Sequence, residues 1–323
     1  MESLKELYRI GKGPSSSHTM GPQKAAKIFN EHYSDAKKIE VVLYGSLAAT
    51  GRGHMTDTAI KEVFGGDDRL NIIWQPSVFL PYHPNGMKFS AYDEGGNLCG
   101  EWTVYSVGGG ALSEGDTPKW LQDSHEDVYK KNYLSEIMNW CNTHGRNYWE
   151  YVKENENSDI WDYLMEVWNM MKESVERGLD HEGALPGPLN IPRKAPTYYV
   201  KARGYKQSLQ TRGLVYAYAL AVSEENASGG TIVTAPTCGS CGVMPAVLYH
   251  LSNSHNFSDT RILHALATAG IFGNVVKTNA SISGADVGCQ GEVGVACAMA
   301  SAAACQLFGG SPSQIEYAAE MGL

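Results

Sequence analysis

The sequence changes character near Leu121, and this change limits the folds that the chain can adopt. Before it, short runs rich in aromatic and β-branched residues alternate with glycine-containing turns, a pattern typical of β-strands. From His125 to Gly178, glycine and proline are scarce, and Trp, Tyr, Leu and Met recur at helical intervals. We therefore predict a multidomain α+β protein, with a mixed α/β domain at residues 1–150 followed by an all-α helical domain at residues 151–323.

The N-terminal domain is expected to begin with alternating helix and strand and to end in an antiparallel meander. Thr56 or Asp57 would cap its second helix, because their side-chain oxygens accept hydrogen bonds from the free N–H groups at a helix start. The predicted segments are a helix over 21–33, a strand over 39–44, a glycine-rich loop over 45–54, a helix over 58–64, and strands over 88–92 and 101–107.

Three prolines between Gly183 and Arg193 exclude a helix there, since proline lacks the N–H donor that a helix interior needs. We predict a linker or a surface loop for this segment. The residues that follow favour helices, and several of these are so rich in Ala and Gly that they have no distinct polar face, which is typical of helices buried on all sides. The predicted helices span 211–223, 244–250, 260–276 and 290–308.

Composition excludes several classes of function. The 323 residues carry a formal net charge of −9 at pH 7, which argues against a nucleic-acid partner. The first residues lack the pattern of a signal peptide, and the longest apolar stretch, 293–307, is short for a membrane span. We therefore expect a cytoplasmic protein with no membrane partner. Seven cysteines, an odd number, favour reduced thiols over a disulfide framework.

A run of small hydroxyl residues, Ser15, Ser16, Ser17, His18 and Thr19, lies between two Gly-Pro pairs and leads into the first predicted helix. Backbone N–H groups and hydroxyls at the start of a helix favour an anion, so the loop is a candidate cradle for a carboxylate or a phosphate. It lacks the Gly-Lys-Ser/Thr ending of a nucleotide-binding P-loop. The alternative is an ordinary serine-capped helix with a solvent-exposed histidine.

His54 follows a glycine-rich segment at the end of a predicted strand, where functional residues are common. A histidine in such a loop is a candidate general base near neutral pH, and the alternative is an ordinary surface histidine. His83 and His144 have no motif around them.

Cys289 is a candidate thiolate ligand for a soft metal, because it lies among small residues in Gly288–Glu292. Together with the serine loop it suggests one composite site. Cys238 and Cys241 form a Cys-x-x-Cys pair with three interpretations, which are a redox dithiol, two metal ligands, or small residues that line a tight helix start. Core packing better explains Cys297 and Cys305, which lie in an Ala-rich helix, and Cys99 and Cys141 are expected to be structural.

Five segments, in this order, resemble the iron–sulfur L-serine dehydratases (L-serine ammonia-lyases), in the single-chain form in which a β-type domain precedes an α-type domain. The similarity runs across essentially the whole chain. The segments are Gly13–Pro22, Gly45–His54, Leu185–Pro188, Ala235–Gly242 and Asn279–Gly294.

The resemblance implies a lyase that converts L-serine to pyruvate and ammonia with a 4Fe–4S cluster and without pyridoxal phosphate. In the family, three thiolates hold the cluster and one iron remains open. That iron would act as a Lewis acid on the serine hydroxyl while a side-chain base removes the α-proton. The helical domain would be the catalytic one, and we expect a homo-oligomer, most simply a dimer.

The resemblance also assigns roles to individual residues. Cys289 matches a cluster ligand, and His54 matches the proposed base and forms, with His18, the expected catalytic pair. Cys238 and Cys241 match a segment that lines the site and is not the usual source of ligands. The expected substrate-binding residues are Ser15, Ser16, Ser17 and Thr19, which would surround the carboxylate, and Asn279, Ser281 and Ser283, which would lie beside the cluster.

The chain departs from the family pattern near Leu323. The family's other two ligands lie in a Cys-Asp-Pro and Pro-Cys segment, which this sequence does not reach. We therefore expect the remaining ligands beyond Leu323 or in a complementing C-terminal polypeptide, and little dehydratase activity from these residues alone. Ser311 to Gln314 have the side chains of a capping box, so they should open a final helix.

Two alternative functions stay open. An L-cysteine desulfhydrase or a related ammonia-lyase would use the same elimination with a thiol as leaving group. A catalytically incomplete subunit or sensor would bind L-serine without forming pyruvate.

Overall fold

The computed structural model describes residues 1–66, 68–114 and 127–323 and divides the chain into two compact units. The helical unit comprises Met1–Gly11 and His125–Leu323, and the sheet unit comprises Lys12–Ser124. The strands are β1 Ile10–Lys12, β2 Lys38–Tyr44, β3 Leu70–Gln75, β4 Gly86–Tyr92, β5 Leu98–Gly108, β6 Ala111–Ser113 and β7 Thr231–Val233. The helices are α1 Gly21–His32, α2 Gly45–Thr50, α3 Thr56–Val63, α4 Leu134–His144, α5 Tyr148–Asn155, α6 Ile160–Asp180, α7 Ala195–Arg203, α8 Gln207–Ala227, α9 Val243–His255, α10 Asp259–Asn279, α11 Gly284–Leu307 and α12 Pro312–Gly322.

The sheet unit is built on a five-stranded mixed sheet in the order β3-β2-β4-β5-β6. Strand β2 pairs in parallel with β3 and antiparallel with β4, and β4, β5 and β6 form an antiparallel meander. Alternate residues of β2, namely Ile39, Val41 and Leu43, are fully buried, as expected for a strand with one face on a core. Phe29 of α1 packs on Phe89 of β4 in that core, with ring centroids 5.2 Å apart.

The predicted fold class, a mixed α/β region followed by a helical region, is confirmed, and so are the meander and helix α1. Two local predictions in the sheet unit are wrong. The segment 45–54 begins with helix α2, where a loop was expected. Helix α3 is not capped by Thr56 or Asp57, because it follows Met55 in the left-handed region, at a φ of 57°. The Thr56 hydroxyl instead donates a hydrogen bond to the carbonyl of His18, 2.5 Å away.

The division into units differs from the predicted boundary at residue 150. The first residues belong to the helical unit because Met1, Leu4 and Tyr8 are buried in its core. The Tyr8 hydroxyl donates to the carbonyl of Leu266 in α10, 3.0 Å away. A Cβ atom at Gly270 would lie 2.8 Å from the Leu4 side chain, so glycine allows this close approach.

The helical unit contains helices where they were predicted after residue 125, namely α4, α5 and α6. Helix α10 is buried along most of its length, from Ile262 to Asn274, as its lack of a polar face predicted. Ser311 caps α12 with the predicted capping box. The prediction of an all-α region missed the short strand β7, which pairs with β1, and the sequence reading also missed helix α7, which follows the prolines.

The proline-rich segment between Gly183 and Arg193 forms a hairpin-like loop on the helical unit, in agreement with the predicted surface loop. The Arg193 N–H donates to the carbonyl of Gly183, 2.9 Å away, and closes its base. The Arg193 guanidinium pairs with the buried carboxylate of Glu225 on α8, with an N–O distance of 3.0 Å. Within the described ranges, no helix is long and apolar enough to cross a membrane.

Candidate active site

The serine loop forms a tight turn in the sheet unit, Ser16–Met20, that runs directly into α1. The Ser15 hydroxyl oxygen accepts the N–H of His18 at 3.1 Å and so caps the turn. The Thr19 hydroxyl accepts the N–H of Ser15 at 3.2 Å. The hydroxyl of the buried Ser16 makes no hydrogen bond with the described residues. The loop therefore presents one serine hydroxyl that its own fold does not use.

His18 is buried in this turn, and a serine lies at each of its ring nitrogens. The Ser17 hydroxyl lies 2.9 Å from Nδ1, and the Ser46 hydroxyl, at the start of α2, lies 3.1 Å from Nε2. The pKa of His18 is lowered from 6.5 to about 4, mainly by burial and also by the nearby His54 and His83, against an opposing hydrogen bond with Ser46. His18 is therefore a neutral imidazole at neutral pH, held in place by two hydroxyl groups.

His54 lies beside His18, with ring centroids 4.8 Å apart. Its Nδ1 is 3.0 Å from the carbonyl oxygen of Thr50. Because a carbonyl only accepts hydrogen bonds, the neutral ring carries its proton on Nδ1 and a lone pair on Nε2. The Thr19 hydroxyl donates to the backbone carbonyl of His54 at 2.7 Å and ties the two histidine segments together. The half-buried His54 ring thus has the protonation pattern of a base.

His83 is a third imidazole in this region, which sequence reasoning missed. Its charged form contributes to lowering the pKa of His18, so the two rings are close enough to interact. Nδ1 of His83 accepts the N–H of Asn85 at 3.1 Å. The carbonyl of the adjacent Pro84 accepts the N–H of Ser46 at 3.0 Å. No short motif surrounds His83, and only the fold brings this loop to the start of α2.

Cys289 lies in the helical unit, near the start of α11, and its side chain is exposed. The helix is broken at Gly288, whose φ of 71° and ψ of 171° are not helical. This backbone conformation favours glycine, because a Cβ atom would be strained there. The kink thus precedes the thiol that the sequence singled out, and that thiol makes no hydrogen bond with the described residues.

Glu292, one turn after Cys289, is a buried carboxyl group that sequence reasoning also missed. The hydroxyl of Thr237 donates a very short hydrogen bond to its Oε1. Cβ atoms at Gly239 and Gly284 would lie 2.6 and 2.8 Å from the carboxyl oxygens, so both glycines leave room for this group. Burial raises the pKa of Glu292, opposed by a hydrogen bond from the Gly239 backbone. The Ala235–Gly242 motif therefore packs against α11 through this carboxyl group.

The other cysteines do not extend the thiol site. Cys238 and Cys241 are almost fully buried, and burial raises the pKa of both thiols, that of Cys241 to about 12. Cys297 and Cys305 on α11 are half-buried, which is more exposed than the core positions predicted for them. Cys141 is buried as expected, whereas Cys99 is exposed and its thiol donates to the carbonyl of Asn97, 3.7 Å away.

The segment between α10 and α11 holds the remaining predicted residues. The Asn279 amide donates to the carbonyls of Asn132, 2.7 Å away, and Val275, 2.8 Å away, so its N–H groups stabilise the end of α10. The Ser281 hydroxyl accepts the N–H of Ser283 at 3.0 Å and forms a local turn. Both serines lie within ten residues of Cys289 in the sequence.

Comparison with known protein families shows the family of the chain that carries these residues. The profile described as "Serine dehydratase alpha chain" matches residues 30–323. The chain belongs to this serine dehydratase family. L-serine dehydratase of Streptomyces coelicolor is 38% identical, over 99% of this chain and 82% of that protein. L-serine dehydratase TdcG of Escherichia coli K12 is 37% identical and L-serine dehydratase of Haemophilus influenzae is 36% identical, each over 100% of this chain and 82% of the relative.

The family resemblance implies an iron–sulfur cluster, and the described residues meet that requirement only in part. Cys289 offers an exposed thiol next to the glycine kink at Gly288. Among residues 1–66, 68–114 and 127–323, however, no three His, Cys, Asp or Glu side chains converge on a point that would hold a metal ion. The described residues therefore include the exposed thiol of Cys289 and no complete set of metal ligands around it.

Proposed function

We propose that this protein is a lyase that deaminates L-serine to pyruvate and ammonia. The observation that carries the proposal is the pair of adjacent imidazoles, His18 and His54, whose rings are tilted by 37° with centroids 4.8 Å apart, in a chain of the serine dehydratase family. Relatives that align with essentially the whole chain are L-serine dehydratases, which supports L-serine as the substrate.

The serine loop would bind the substrate carboxylate. The Ser16 hydroxyl has no hydrogen bond with the described residues and is free to donate to an anion, and the Ser17 hydroxyl joins it. The Ser15 and Thr19 side chains already shape the turn, because Ser15 caps it and Thr19 donates to the His54 carbonyl. We therefore assign substrate contact to Ser16 and Ser17 and assign positioning to Ser15 and Thr19.

The lone pair at Nε2 of His54 would remove the α-proton. When Nε2 takes the proton, the Nδ1–H remains bonded to the Thr50 carbonyl, which stabilises the imidazolium. His18 stays neutral because burial lowers its pKa to about 4, so it places no positive charge beside the protonated His54. The two rings thus have different roles: His54 would move a proton, and His18 would orient hydroxyl groups.

We further propose that Cys289 contributes one thiolate to a 4Fe–4S cluster and that a complementing polypeptide supplies the remaining ligands. When bound, such a cluster would supply a Lewis acid for the departing hydroxyl group. Asn279, Ser281 and Ser283 would lie beside this cluster. The proposal includes a cytoplasmic location and a homodimer, and sedimentation of the purified chain tests the dimer.

The proposed function is tested by pyruvate formation with a matched pair of cysteine variants. The chain, supplied with the polypeptide that carries the remaining thiolates, is reconstituted anaerobically with iron and sulfide and assayed with L-serine and L-cysteine. Cys289→Ala should lose bound iron and pyruvate formation, whereas Cys99→Ala, which removes another exposed thiol, should keep both. Unchanged pyruvate formation by Cys289→Ala would contradict the proposal, and faster turnover of L-cysteine would favour a desulfhydrase.

A further inference from the structure

A cavity of about 230 Å³ lies in the helical unit, where the first turns of α10 meet the end of α11. It is lined by Arg261, His264, Gln306, Leu307 and Gly309. Gln306 follows Cys289 by seventeen residues on α11, a rise of roughly 25 Å along a helix. The cavity is therefore separate from the thiol end of the same helix, and none of the residues assigned to L-serine chemistry lines it.

The polar side chains that line this cavity offer hydrogen-bond donors. The Arg261 guanidinium makes no hydrogen bond or ion pair with the described residues. The hydroxyl of the buried Thr268 donates to Oε1 of Gln306 at 3.3 Å, which directs the amide oxygen into the protein and leaves the NH₂ group for the cavity. The lining contains no carboxylate. Arg261 is exposed and pairs with no acidic side chain among the described residues, while the charges of Glu150 and Lys153 act in opposite directions on His264.

His264 adds a third donor and is held rigidly. Its ring stacks on Trp149 with centroids 3.7 Å apart and an interplanar angle of 7°, and Trp161 packs edge-on at 5.6 Å. Neither ring nitrogen is hydrogen-bonded to the described residues. Burial lowers the pKa of His264, so the ring is neutral at neutral pH and donates through one N–H. Because the Trp149 indole stacks on His264, its fluorescence should change when a ligand binds at His264.

We propose that this cavity binds the carboxylate group of a small organic acid. The planar guanidinium of Arg261 matches a carboxylate with two parallel hydrogen bonds, and the Gln306 amide and the His264 N–H supply further donors. The buried side chain of Leu307 forms an apolar wall for a short carbon chain. The volume is below the roughly 300–1,000 Å³ of sites for larger ligands, which favours a small acid.

Fluorescence titration of the full chain with acetate and with succinate, at constant ionic strength maintained with chloride, tests this proposal. We expect a saturable change in tryptophan fluorescence and a rise in melting temperature with either acid. Arg261→Gln should weaken binding by about tenfold to a hundredfold, since it removes a charged hydrogen-bond donor. Arg212→Gln, which removes an exposed arginine on α8 with no ion pair among the described residues, is the matched control and should bind like the wild type.

Three outcomes would overturn the proposal. The first is a change that does not saturate, and the second is an equal loss in Arg261→Gln and Arg212→Gln, which would indicate general ionic screening. The third is tighter binding of inorganic phosphate than of either acid, which would assign the cavity to a different anion. Because the readouts are binding and melting temperature, and not pyruvate formation, the result is independent of the proposed lyase activity.

Discussion

The histidine region and the cysteine region hold their reactive side chains by different means. In the sheet unit, a hydroxyl group lies at each nitrogen of His18, and a backbone carbonyl fixes the tautomer of His54. In the helical unit, Cys289 is exposed at a glycine kink, and the buried Glu292 below it fits between glycines. Burial and hydrogen bonds thus set the protonation state of His18 and the tautomer of His54 in the first region, and close packing at glycines sets the backbone shape in the second. A substitution at His18 should therefore change how stability depends on pH, and a substitution that fills the space at a glycine of the second region should lower stability at every pH.

The largest effect on stability is expected from Gly239→Ala. The new Cβ atom would lie 2.6 Å from an oxygen of Glu292, which cannot move away because it is buried and bonded to Thr237. Overpacking of this kind destabilises a protein by about 2 kcal/mol. Urea denaturation measures the loss. Gly204→Ala is the control, because its nearest contact is an ordinary 3.4 Å, and an equal loss in both variants would contradict the packing argument.

An effect of similar size, which depends on pH, is expected at His18. Its pKa is about 4 in the folded protein and 6.5 when unperturbed, so between these values the unfolded chain binds the proton and the folded chain does not. The free energy of unfolding should therefore fall by about 2 kcal/mol from this residue as the pH drops from 7 to 5. Urea denaturation at both pH values should show that His18→Gln removes this loss. If the free energy of unfolding of the variant depended on pH as in the wild type, the distinction drawn between the two regions would be contradicted.

The smallest effect is expected from Glu292→Gln, and its sign is opposite. Burial raises the pKa of Glu292 above 4.5, so the folded chain holds the proton more tightly than the unfolded chain. The stability that this group contributes is complete below pH 4.5 and is lost as the pH rises through the folded pKa. Denaturation midpoints from pH 4.5 upward should show that the variant loses this decline. A constant difference between variant and wild type across that range would show that the carboxyl group does not titrate.

Local patterns in the sequence predicted much of the fold. The capping box at Ser311 and the turn before Gly21 depend on neighbours three or four residues away, and both begin helices as expected. Strand β3 was missed because it is defined by parallel pairing with β2 across two intervening helices. Helix α7 was missed because prolines surround its start, although proline is favourable in a first helical turn.

The sequence predicted residues of the candidate sites only where they lie within a single local motif. The serine loop, His54 and Cys289 each stand in a recognisable local pattern. The partners that define their chemistry are distant in sequence: Ser46 is 28 residues from His18, and Thr237 is 55 residues from Glu292. A buried acid and a third imidazole such as His83 become visible only when the fold places them beside a known group.

The central claim, that His54 is the base, is tested most directly by comparing His54→Gln with His144→Gln in the reconstituted, complemented protein. Each histidine donates from Nδ1 to the carbonyl four residues earlier, at 3.0 Å in His54 and 2.8 Å in His144, so the two substitutions remove the same local bond. We predict that His54→Gln lowers kcat for pyruvate formation from L-serine by about 10²- to 10⁴-fold, the usual contribution of a general base, and that His144→Gln leaves it unchanged. Equal activity of the two variants would contradict the account.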